Sequence, residues 1–176
     1  MSTDPAVRIL RFKHLYKIEK IEPEFPFLIE AKLKLERMLL TQQLAASNIS
    51  LESIEQCTGK EFEMLLIEKF KALGFKAKDT PTVGDYGADI ILEDNNQTKY
   101  IIQCKRFKSK VNLKAVQEVV AAIAHFNGDI GIVITNNGFL TSAIKLAESN
   151  DIELWDGIKL MKFFNGDLSF SRICSN

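Results

Sequence analysis

The chain has 176 residues, 46% of them hydrophobic, with 23 basic and 23 acidic side chains. That suffices for one ordinary domain plus an extension and excludes wholesale disorder; zero formal net charge excludes a global field for nucleic acid, so any such attraction must come from a local patch. Cys57, Cys104 and Cys174 are an odd number without paired metal spacing, which argues against a disulfide frame or a zinc site and predicts reduced thiols.

The opening stretch, "MSTDPAVRILRFKH", lacks the apolar core of a secretory signal, and no segment is apolar enough to span a membrane. The expected location is therefore cytoplasmic. A weakly patterned basic segment with Arg8, Arg11, Lys13, Lys17 and Lys20 leads to a break at Pro23 and Pro26. Leu28, Ala31, Leu35, Met38 and Leu39 then recur at helical spacing and predict a helix over 28–46. Residues 1–57 thus read as a mainly helical N-terminal extension, able to contact DNA, the rest of the chain or a second copy. Serines around "SNISLES" cap a short helix near residues 51–56.

From Thr58 to Asn176 the pattern is that of a second domain. Thr58 and Glu61 form a capping-box pair, and Phe62, Leu65, Leu66, Phe70 and Leu73 give the helix one apolar face before Gly74 stops it. "FKAK" starts an extended stretch, and "ADIILED" and "KYIIQCKRF" flank an "NNQ" turn as two strands of a hairpin. Asn112 caps a helix with Val116, Val119, Val120 and Ile123 inward, ending at Asn127-Gly128. "DIGIVIT" is a short, wholly apolar strand of the buried kind, "LTSAIKLAES" a helix and "IELWDG" a last strand. The order predicts an α/β fold whose mixed β-sheet is flanked by helices: an antiparallel hairpin, then right-handed crossovers. Trp155 is expected at a sheet edge; His14 and His125 have no partner pattern.

The hairpin contains the chemistry. Residues two apart in a strand share a face, so Gln103 and Lys105 point together and Cys104 points away. With the turn centred near Asn96, Asp89 comes opposite Gln103. An acid, an amide and an amine then cluster at one end of the hairpin, either as an inert internal ion pair or as a site whose charge a divalent cation completes. A second acid should stand nearby. Glu63 lies roughly 65° from the centre of its helix's apolar face, at the border, whereas Glu61 is accounted for by capping. Glu63 reads either as that acid or as a rim carboxylate paired with Lys60 or Lys71.

"TGKEFEMLLIEKFKALGF", "GDYGADIIL", "YIIQCKRF" and "VNLKAVQEVVAAI", in that order, resemble the catalytic domain of Mrr-type restriction endonucleases, within the PD-(D/E)XK nucleases. The likeness continues through "GIVITNNGFLTSAIKLAESNDIELWDGIKL" and spans roughly residues 58–160. It implies a restriction-endonuclease-like fold and a Mg²⁺-dependent endonuclease acting on DNA, with Mn²⁺ able to substitute. By resemblance Asp89 and Glu63 ligate the metal, Gln103 fills a position that is often acidic, the Cys104 carbonyl is a further ligand, and Lys105 serves the attacking water and the phosphate. Arg106, Lys108, Lys110 and Lys114 form a basic run beside this cluster and read as phosphate contacts or as a solvated loop. Gln117 contacts DNA or the metal-bound water, or lies on a solvated face. Gly84, Gly87 and Gly138 either admit DNA or serve turns. A homodimer is expected because two cuts across a duplex need two sites. A role in restriction and phage defence leads; a Holliday-junction or repair nuclease, a non-catalytic DNA-binding module and a subunit working with a separate motor partner are the alternatives.

Overall fold

The computed structural model describes residues 49–80 and 86–166, together with four helical positions, Lys32, Lys34, Leu35 and Leu39. Those four fall within the helix expected over 28–46; the remainder of that helix, the basic N-terminal segment, His14, Gly84 and Cys174 lie outside the described residues. By its internal contacts the chain divides into Met1–Glu36 and Arg37–Asn176. The second unit holds the sheet and the helices that flank it.

Helix α1 (Leu51–Gln56) opens with Ser50 and Ser53 in a reciprocal capping box and buries Ile54 completely. Helix α2 (Gly59–Ala72) starts as its sequence dictates. The Thr58 N–H donates to Glu61 Oε2 at 2.7 Å, and the Glu61 N–H donates to Thr58 Oγ1 at 3.2 Å. Two of the helix's orphan donors are thereby satisfied. Phe62, Leu66 and Phe70 are wholly buried. Leu73 departs from the expected apolar face: it sits at the C-cap and is exposed.

Strands β1 (Lys76–Asp79), β2 (Ile90–Glu93) and β3 (Lys99–Lys105) run antiparallel in succession, and β4 (Ile130–Thr135) and β5 (Ile152–Trp155) join parallel in the order β1-β2-β3-β4-β5. Two crossover helices, α3 (Lys114–Phe126) after β3 and α4 (Thr141–Glu148) after β4, connect the parallel strands. Asn112 Oδ1 accepts from the Lys114 N–H at 3.0 Å, one residue ahead of the N-cap at Leu113. Asn127 closes α3 in the left-handed region, as "NG" predicts.

The sheet divides the core in two. Ile90, Leu92, Tyr100, Ile102, Cys104, Ile132 and Ile134 pack toward α2 on one face, and Ile91, Ile101 and Val133 pack toward α3 and α4 on the other. A terminal helix, α5 (Gly157–Asn165), was not anticipated. Asp156 caps it by accepting from the Lys159 N–H at 2.8 Å, and Gly166 ends it at φ 83°. It covers β5, so Trp155 is fully buried against Phe70 and Phe163 even though its strand is the sheet's edge. The Lys69 ammonium reaches from α2 to the Phe164 carbonyl at 3.0 Å, and burial lowers its pKa.

Candidate active site

The register of the hairpin places the acid. Ile90 pairs with Ile102, Ile91 with Ile101 and Leu92 with Tyr100. One step beyond the ladder brings Asp89 opposite Gln103. The Asp89 N–H donates to the Ile102 carbonyl at 2.8 Å, and the Asp89 carbonyl accepts from the Thr80 N–H at 3.1 Å. Its side chain turns back onto β3: Oδ2 accepts from Gln103 Nε2 and from the Cys104 N–H, the latter at 2.7 Å. Asp94 fixes the turn that sets this register, its Oδ1 accepting from the N–H groups of Asn96 at 2.8 Å and Thr98 at 2.9 Å.

Gln103 is 2% exposed. Its amide nitrogen faces the Asp89 carboxylate, so its Oε1 points elsewhere, and that oxygen is buried and accepts no hydrogen bond from the described residues. A buried acceptor left in this state is costly unless something supplies positive charge or a proton. Alternation along β3 puts Lys105 on the same face as Gln103, away from the core that takes Cys104.

Glu63 stands on α2, the layer that covers the Cys104 face of the sheet. Its side chain is 18% exposed and pairs with Lys60 at 3.2 Å, while Lys60 also holds Asp79 on β1 at 3.1 Å. Those two hydrogen bonds, Asp79's first, raise the Lys60 pKa. The rim pairing expected of Glu63 is thus present, and its charge also reaches the thiol of Cys104, the residue between Gln103 and Lys105. Burial pushes the Cys104 thiol well above its ordinary range, and the charges of Asp89 and then Glu63 push it further, with Lys105 and Lys60 opposing. Both acids therefore lie within electrostatic range of one strand residue. Among the described residues no three His, Cys, Asp or Glu side chains converge as a metal cluster on their own. The two acids fit a divalent cation only with neutral oxygens added, and the orphaned Gln103 Oε1 is one such oxygen. Backbone N–H and C=O of a strand residue leave on the same edge, so the Cys104 carbonyl points to the side on which its N–H meets Asp89.

The basic residues separate. Lys108, Lys110 and Lys114 are exposed, as is Gln117. Arg106 is half-buried and its Nη1 donates to the Glu55 carbonyl of α1 at 2.8 Å, which ties the strand end to that helix. The loop is stapled from below. Asn136 accepts from the Phe107 N–H at 2.9 Å and donates to the Phe107 carbonyl at 3.0 Å, and Asn137 donates to the Lys108 carbonyl at 3.1 Å. A short parallel bridge joins Val111 to Phe139, and the Val111 N–H meets the Gly138 carbonyl at 2.8 Å. Gly138 serves this loop contact. Gly87, at φ 88°, is where the chain presses on α3. His125 does have a partner: its exposed ring stacks on Tyr86 with centroids 3.7 Å apart. Cys57 and Cys104 are free thiols.

Sequence patterns alone did not single out one residue of the site. Glu118 on α3 stands 2.8 Å from Lys105 Nζ through its Oε2, and its Oε1 is 3.8 Å from Lys114 Nζ. Its spacing from Lys114 is visible in the sequence as an i,i+4 pair, but the approach of α3 to the end of β3 is not.

Comparison with known proteins agrees with this architecture. The model of a restriction endonuclease family, the Mrr catalytic domain, matches residues 54–164. The chain is 28% identical over 136 residues to the type IV methyl-directed restriction enzyme EcoKMrr of Escherichia coli (strain K12), covering 73% of this chain and 45% of that protein. It thus spans under half the length of that curated relative. Among solved structures, the DNA modification-dependent restriction endonuclease AspBHI superposes with a TM-score of 0.52 at 17% identity, over 73% of this chain and 35% of that one. That likeness is one of fold, a mixed sheet flanked by helices. The match to the family model covers most of the chain and every member of the hairpin cluster: this protein belongs to the Mrr-type restriction endonuclease family, of the PD-(D/E)XK kind.

Proposed function

We propose that the chain is a Mg²⁺-dependent endonuclease that hydrolyses phosphodiester bonds of DNA. The observation that carries the reading is the placement of Asp89, Gln103 and Lys105 on one face, with Gln103 Nε2 on the carboxylate and Gln103 Oε1 buried without a partner among the described residues. Asp89, Glu63, Gln103 Oε1 and the Cys104 carbonyl would hold the cation, which Mn²⁺ also suits as an oxygen-ligated ion. When bound, such an ion lowers the pKa of its water and offsets charge on the phosphate. Asp89 is held in place by two donors from β3, so its carboxylate is aimed without further ordering. Lys105 supplies N–H donors and positive charge where the oxyanion builds. Lys108, Lys110 and Lys114 contact backbone phosphates, with Arg106 and Gln117 at the margin, giving sequence-independent, salt-sensitive binding.

The family supports a role in restriction and phage defence, in the cytoplasm where foreign DNA arrives. Among the described residues no helix is long and apolar enough to cross a membrane. A nuclease domain of residues 58–176 acting as a homodimer would cut both strands. Repair or junction-directed cleavage is the second reading: the hairpin cluster selects no DNA shape by itself. The methyl-directed and modification-dependent behaviour in the names of the relatives is not carried over, because this chain covers less than half of either.

The test is incubation of supercoiled plasmid with Mg²⁺, Mn²⁺ or EDTA, using wild type, Asp89→Asn and Lys105→Ala. We expect metal-dependent nicking or linearisation, blocked by EDTA and lowered on the order of 10²- to 10³-fold in both variants, with circular dichroism unchanged. Cleavage that persists in EDTA, or at the wild-type rate in Asp89→Asn, would remove the reading. Preference for branched over linear DNA would favour the junction-directed alternative.

A further inference from the structure

Glu118 lies inside the molecule's working end without belonging to the metal-ligating set. Its side chain is 26% exposed and that of Lys105 is 22% exposed, with 2.8 Å between carboxylate and amine. Lys114, whose side chain is 77% exposed, stays 3.8 Å away on the other oxygen, so Oε2 is left to Lys105. The same residue meets the other arm of the hairpin. Gly87 adopts φ 88° against it, and a Cβ added there would stand 2.5 Å from Glu118 Cβ and 2.9 Å from its Cα. One helical position therefore touches both the amine that ends β3 and the turn that delivers Asp89 two residues later.

We propose that Glu118 is a positioning residue for cleavage, anchoring the Lys105 ammonium so that it faces the Asp89–Gln103 pair. The inference rests on the endonuclease reading above. A lysine carries its charge on a flexible four-carbon stem, and at a strand end nothing in the backbone decides where the amine points. A close, largely sheltered carboxylate restricts it, through charge at 2.8 Å rather than through an aligned hydrogen bond. Because α3 also bears on Gly87, the anchor and the acid are referenced to one point of the frame. Partly exposed ion pairs add little to folding stability, so the signature of this role is in the rate.

The experiment compares kcat, KM and thermal midpoint for wild type, Glu118→Gln, Glu118→Asp, Lys105→Ala and the Glu118→Gln/Lys105→Ala double variant on plasmid DNA with Mg²⁺. Cleavage is followed at enzyme excess where rates are slow. Glutamine keeps the packing against Gly87 and removes the charge. Expected is a fall in kcat on the order of ten- to a hundredfold in Glu118→Gln, with KM and the thermal midpoint near wild type and partial recovery in Glu118→Asp. The double variant should be no slower than Lys105→Ala, since the effect passes through that amine. An active wild type with an unaffected Glu118→Gln overturns this inference alone. So does a double variant slowed by the full product of the two single effects. A wild type without cleavage overturns the endonuclease reading and this inference with it.

Discussion

Asp89 was legible as a residue because a hairpin's turn sets its register. Centring the turn near Asn96 brought Asp89 opposite Gln103, and the pairing of Ile90 with Ile102 extends to that match. What the sequence did not show is that Asp94 holds the turn and that the carboxylate is clamped by a backbone N–H. Glu118 was invisible for a physical reason: helical periodicity tells which face of α3 is apolar, not how closely that helix passes the end of a strand 13 residues earlier. Gly87 belongs to the same account. Its positive φ costs a side-chain-bearing residue about 1–2 kcal/mol, and the 2.5 Å approach to Glu118 Cβ leaves a methyl group no room. Gly87→Ala should therefore lower stability by more than the conformational term alone, seen as a reduced urea midpoint. Its cleavage rate should fall further than the folded fraction explains, because the turn would shift Asp89 away from β3. A variant cleaving at the wild-type rate per folded molecule would show that this close approach is dispensable.

Elements were largely readable where local rules suffice. The Thr58–Glu61 capping box, the apolar run of β4 and the Asn127 stop each announced themselves, and each is where expected. The terminal helix α5 also carried its signals, an N-cap Asp156 and a following Gly166, but "IELWDG" reads equally as a strand running into a turn. The consequence for packing is large. Without α5, Trp155 would sit at an open edge; with it, Phe163 meets both Trp155 and Phe70 at centroid separations of 5.0 Å. Phe163→Ala should destabilise the fold by about 3–5 kcal/mol, measured by denaturant unfolding. A loss under about 1 kcal/mol would mean the helix is only loosely applied to the sheet. Arg106 shows what a charge run leaves unread. A charge run in sequence treats its members alike, whereas the fold sends this guanidinium to a helix-end carbonyl and leaves the neighbouring lysines in solvent.

For the molecule as a whole, a formal charge of zero makes the local arrangement decisive. Lys108, Lys110 and Lys114 are the exposed part of the basic run beside the cluster. Replacing all three with alanine should weaken binding to duplexes of unrelated sequence alike, and should flatten the plot of log affinity against log salt by about 0.9 for each phosphate no longer neutralised. Fluorescence anisotropy across a salt series reads this directly; an unchanged slope would assign phosphate binding to other residues. The two-layer division of the core was foreseeable from strand alternation. The approach of Glu118 on α3 to the Lys105 amine was not, because it depends on where the sheet ends relative to that helix.

Asn136 and Asn137 give the lysine-bearing loop a fixed course, through bonds to Phe107 and Lys108. The entropy of arranging that backbone is thus surrendered when the polypeptide folds, before any polyanion arrives. Encounter with a duplex then asks only for rotamer adjustments at the lysine tips, which take picoseconds to nanoseconds. Such a surface leaves little backbone to order on contact with a polyanion.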